Sequence, residues 1–85
     1  MRLQLFDLKV TNRATFIQFL NIMLQDLKKH PENWENNNLE SFLEALSAYA
    51  EDIQGYYDNT QQSINAEEAS WQVFADMFKG AVVYE

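Results

Sequence analysis

Asp26 and His30 stand four residues apart, so one turn of helix would aim both at a single ion, with Glu32 or Glu35 as a third ligand. The plainer account is stronger. A histidine in the last turn of a helix is favoured by the helix dipole, and Asp26 can pair with it there. A second grouping is acidic: Glu40, Glu44 and Glu51 recur at helical spacing. Glu40 and Glu44 could share a divalent cation, although no ion-binding loop accompanies them. They could instead face lysines and arginines of a partner, or simply water. Like charges at i, i+4 cost an isolated helix a few tenths of a kcal/mol, a small argument for a partner. The third grouping is Tyr56 and Tyr57, set among Glu51, Asp52 and Asp58. Tyrosine surrounded by acid has the composition of a hot spot for a basic protein surface.

Catalysis finds little else to work with. One histidine excludes a His-x-x-x-His metal pair, zero cysteines exclude thiolate zinc and disulfides, and two glycines exclude a Gly-rich phosphate loop. The expectation is a protein that is not an enzyme, with no metal and no cofactor.

The elements that would hold these side chains follow from hydrophobic spacing. Arg2 to Val10 fits neither a helix nor an alternating strand and is expected to be extended or irregular. Thr11 and Asn12 offer caps to a helix over about 12–29. Its predicted inner face is Phe16, Ile17, Leu20, Met23, Leu24 and Leu27, with Phe19 at the edge and Ile22 nearly opposite. Lys28 and Lys29 suit its last turn, and Pro31 ends it. Trp34, in a polar connection, reads as an anchor over the core. Asn37 with Glu40 resembles a capping box for a second helix over about 38–54, with Gly55 as its stop and residues 56–63 as a loop. Its stripe is Leu39, Phe42, Leu43, Leu46, Tyr49, Ala50 and Ile53. Asn65 with Glu68 predicts a third helix over about 66–81, apolar over half its circumference. Tyr49 and Trp71 are expected in the core, and residues 82–85 either extend the last helix or pack back as a strand.

The whole is expected to be a single all-α domain over residues 1–85, a small three- to four-helix bundle. At 85 residues and 10.0 kDa, folding would leave roughly 5,200 Å² of an unfolded surface of roughly 14,500 Å². That is one modest core, for which 47% hydrophobic residues suffice. No run of apolar residues reaches membrane-spanning length, and the first ten residues lack a signal-peptide layout, so a cytoplasmic protein is expected. Net charge is −7 and uneven. Residues 1–30 carry five basic side chains against two acids, whereas residues 31–85 carry Lys79 against eleven. Such a field repels phosphate backbones, which argues against nucleic acid, and attracts basic proteins.

The run Trp34-Glu35-Asn36, Leu39 and Phe42-Leu43-Glu44-Ala45 resembles a small bacterial family of unknown function. Phe16, Phe19 and Leu20 before Asp26-Leu27, then Tyr49, Asp52, Ser70-Trp71, Phe74-Ala75-Asp76 and the closing Tyr84-Glu85, extend the likeness from about residue 13 onwards. The resemblance implies a bacterial source and one compact domain, and brings no activity. In size, acidity and expected fold the chain is also similar to the immunity proteins that neutralise nuclease bacteriocins, where a tyrosine pair like Tyr56-Tyr57 belongs to the recognition region.

The expected function is a non-enzymatic protein-binding module, its concrete form an immunity or inhibitor protein masking a basic toxin. The residues expected to bind are Glu44, Glu51, Asp52, Tyr56, Tyr57 and Asp58. Replacing either tyrosine by alanine should weaken the complex while sparing the fold. The alternative is a structural or regulatory homodimer joined through the apolar face of the third helix.

Overall fold

The computed structural model describes Leu5 and residues 7–84. They form three helices, α1 (Arg13–Lys29), α2 (Leu39–Asn59) and α3 (Trp71–Val83), with a short 3-10 turn at Pro31–Asn33. There is no strand among the described residues. The chain is all-α, as its periodicity predicts. Leu5 and Asp7 are helical rather than extended, and the rest of the expected irregular stretch before residue 7 lies outside the described residues.

Asn12 caps α1, accepting from the Thr15 amide at 2.9 Å while the Thr15 hydroxyl accepts from the Asn12 amide at 3.1 Å. Lys28 and Lys29 occupy the last turn, and Pro31 follows the His30 C-cap. The inner face differs from the predicted one. Phe19, Met23 and Asp26 are buried, whereas Ile17, Leu20 and Leu24 face solvent. An apolar wheel seeks the largest hydrophobic sector. What turns the helix here is Asp26, whose Oδ2 accepts a 2.7 Å hydrogen bond from Trp34 Nε1 in the interior.

Asn38, one residue after the predicted cap, starts α2 by accepting from the Ser41 amide at 2.9 Å. Gly55 does not stop the helix, which runs on through Tyr56 and Tyr57 to Asn59. The actual stop comes at Thr60 and at Gln61, whose φ of 59° lies in the left-handed region, with the Gln62 amide bonded to the Tyr57 carbonyl at 2.8 Å. The third helix starts five residues later than predicted. Residues 66–68 form a turn, the Asn65 side chain accepting from the Glu67 amide, and Ser70 caps α3 through the Val73 amide at 3.1 Å.

α1 and α2 both pack against α3 and make little contact with one another. One core cluster joins Leu5, Val10, Phe19, Met23, Trp34, Ala75 and Val82; a second joins Ile53, Tyr57 and Val73. Tyr49 approaches α3 over Gly80, where a β-carbon would sit 2.2 Å from its ring. The same C-terminal end of α3 is clamped from the inter-helix segment. Asn36 Nδ2 donates to the Ala81 and Tyr84 carbonyls at 2.9 and 2.7 Å, and the Glu35 amide donates to the Val82 carbonyl at 2.9 Å. The Trp34-Glu35-Asn36 run thus has a structural use at each position. The folded surface is 5716 Å², somewhat above the size expectation.

Candidate functional site

The acids and tyrosines singled out in the sequence belong to α2, not to a loop, and the helix distributes them unequally. Glu40, Glu44, Glu51, Asp52 and Asp58 are all exposed, and no basic residue occurs in the helix. Tyr56 is 46% exposed, with its ring 5.9 Å from Tyr57 and 6.3 Å from Tyr49. Tyr57 is 0% exposed. One residue along a helix is a rotation of about 100°, so neighbouring tyrosines cannot share a face. Tyr57 is therefore a core residue, and its replacement perturbs folding instead of leaving it intact.

Its hydroxyl enters a polar network under the helix. Tyr57 Oη donates to Asp76 Oδ2 at 2.7 Å, Gln72 Nε2 donates to Asp76 Oδ1 at 2.7 Å, and Lys79 Nζ stands 3.6 Å from that oxygen. Gln72 also accepts from the Val10 amide at 2.8 Å, and Lys79 donates to the Leu8 carbonyl, so the network ties the N-terminal segment to α3. Burial, the hydrogen bond to Asp76 and its charge push the Tyr57 hydroxyl well above its ordinary pKa. Tyr49 is pushed up to about 12, by burial first and then by the charges of Tyr56, Asp76 and Tyr84.

Tyr84 completes the tyrosine group. It lies edge-on to Tyr49, with centroids 5.5 Å apart, and its hydroxyl donates to Asp52, which raises its pKa as well. That bond holds Asp52 at the rim of the acidic face. Beside Tyr49 and Tyr56 a cleft of about 680 Å³ opens, lined also by Gln62, Gln72, Asp76 and Lys79. Tyr49, Tyr84 and Asp76 were not among the residues expected to bind. The signal for Tyr49 is its spacing of seven from Tyr56, which sets the two on one side of a helix.

The other sequence candidates are structural. Asp26 is bonded to Trp34 in the interior, and His30 lies 3.7 Å from Glu32 at the surface. Among the described residues no three His, Asp or Glu side chains converge on a point that could hold a metal ion. No described helix is long and apolar enough to cross a membrane. Trp71 is part exposed, its ring 5.4 Å from Phe16, so the expectation of a core residue holds only for one side of it.

No curated protein and no solved structure matches the sequence. A family of unknown function, DUF7660, matches residues 12–85, nearly the whole of the described fold from the cap of α1 onward. The clamp residues Trp34 and Asn36, the tyrosine group and all three helices fall inside that span, and the chain belongs to the DUF7660 family.

Proposed function

We propose that this protein is a non-enzymatic binding module of the bacterial cytoplasm that offers the acidic face of α2 to a basic protein. The observation that carries this reading is the composition of α2: five exposed acids, no basic residue along the helix, and, on the flank it shares with Asp52, a half-exposed Tyr56 braced by two other tyrosine rings. A braced aromatic loses little rotamer freedom on binding, and the exposed acids of a helix that carries no base steer a cationic partner toward it. Glu44, Glu51, Asp52, Tyr56 and Asp58 form the binding set. The most concrete form is an immunity or inhibitor protein that covers the cationic site of a toxin.

The test is a comparative capture from host lysate, with wild type, Tyr56→Ala and Glu51→Lys as baits, washed at low and then moderate salt. The reading requires a stoichiometric basic protein that wild type retains, that both variants lose, and that salt elutes. An empty wild-type bait, or equal capture by all three, removes it.

A second reading, self-association, is favoured by a different observation. Ile17, Leu20, Leu24, Leu39, Leu43, Trp71 and Phe74 are all exposed, a set of large apolar side chains drawn from all three helices.

A further inference from the structure

The exposed apolar side chains are not scattered. Because α1 and α2 lean on α3 without closing on each other, a groove runs between them. Its narrow end, about 330 Å³, is lined by Met23 and Leu27 of α1, Trp34, and Leu39 and Phe42 of α2. Aromatic rings pave the floor, with Phe78 standing 6.0 Å from Phe16 and 6.2 Å from Phe42, and Phe42 stacked on Trp34 at 6.0 Å. Phe74 precedes Phe78 by one turn on the same side of α3. The rims are apolar too: Ile17 and Leu24 are 50% and 47% exposed, Leu39 and Leu43 74% and 52%.

The charges beside the two rims are opposite. On α1 the stripe is Arg13, Ile17, Leu20, Leu24 and Lys28, one residue per turn, with leucine and isoleucine between two cations. On α2, Glu40 and Glu44 stand next to Leu39 and Leu43. The groove therefore has one rim flanked by base and the other by acid, which is what an isologous interface requires. We propose that the groove is covered by a second copy of this chain. The charges also select the symmetry. A two-fold axis running along the groove lays α1 of each copy over α2 of the other and brings Lys28 to Glu40 and Glu44 of the second copy. An axis across the groove would stack α1 on α1 and α2 on α2, setting like charges together. The first arrangement buries both rims and the ring-lined floor. This inference deepens the self-association reading; it uses Glu40 and Glu44, which the acidic-face reading also counts, whereas Tyr56 and Asp52 lie on the far flank of α2 and stay outside it.

Sedimentation velocity of the full chain over a wide concentration range tests the proposal. A species of about twice the 10.0 kDa mass should dominate at high concentration. Leu24→Glu and Leu43→Glu, each at an exposed position, should weaken it by at least about tenfold while leaving the melting temperature of the dilute monomer unchanged. Lys28→Glu and Glu44→Lys should each weaken it several-fold, and the double variant should recover, since the two-fold swaps both pairs at once. A chain that stays monomeric throughout overturns the proposal, as does a dimer indifferent to Leu24→Glu and Leu43→Glu. Loss in both charge variants without recovery in the double overturns the α1-over-α2 arrangement.

Discussion

At the scale of single residues, Tyr56 and Tyr57 show how far one position matters. Both are tyrosines amid acid, yet Tyr56 is at the surface and Tyr57 donates to Asp76 beneath it. Tyr57→Phe should cost about 1–2 kcal/mol in urea denaturation, because Asp76 loses one donor but keeps Gln72 and Lys79. The tyrosines also set an alkaline limit. Below pH 10 folded and unfolded chains both keep the Tyr49 proton. Between about 10 and 12 the unfolded chain releases it and the folded chain does not, so stability falls as pH rises through that window. Tyr57 and Tyr84, raised in the same direction, add to the fall. Ultraviolet titration of tyrosinate should show late ionisation in the native protein and ordinary ionisation in urea; coincident curves would contradict the burial of Tyr49 and Tyr57. The tyrosine pair was legible in sequence as a feature. Which member faced inward was not, because that depends on whether the helix passes Gly55.

For the elements, the errors share a cause: a local signal was outweighed by packing. Gly55 is exposed within the helix with nothing within 4 Å of a β-carbon, so α2 crosses it on the strength of Ile53 before it and Tyr57 beyond. Gly55→Ala should therefore stabilise by about 1 kcal/mol, as the helix propensity difference implies. Gly80→Ala should do the opposite by about 1–3 kcal/mol, since the added carbon meets the Tyr49 ring. Thermal melts of the two variants separate them cleanly, and equal shifts of one sign would refute the close approach at Gly80. The cap of α1, its dipole-matched end and the existence of three helices were readable, because each rests on neighbours in sequence. The rotation of α1 was not. It turns on Asp26 meeting Trp34, a polar contact that hydrophobic periodicity cannot represent. The late start of α3 was hidden by Asn65, which serves a turn with the same side-chain chemistry that serves a cap.

As a whole molecule, the protein has two core clusters that share one helix. Ala75 and Val82 serve the first, Val73 the second. Unfolding is therefore expected to be a single transition, with far-ultraviolet and near-ultraviolet circular dichroism superimposing along a denaturant series. Separate midpoints would show that the clusters melt independently. The same dependence on α3 reaches back into synthesis. Trp34 and Asn36 emerge from the ribosome long before Ala81, Val82 and Tyr84, whose carbonyls take up the Asn36 amide and the Glu35 N–H. Until residues 71–83 are free, α1 and α2 have no common surface to settle on, and Phe16, Phe42 and Met23 stay open to water and to other nascent chains. The cell thus receives this fold all at once, when α3 has left the ribosome. Slowing the ribosome along α2 gives the chain no earlier structure to keep.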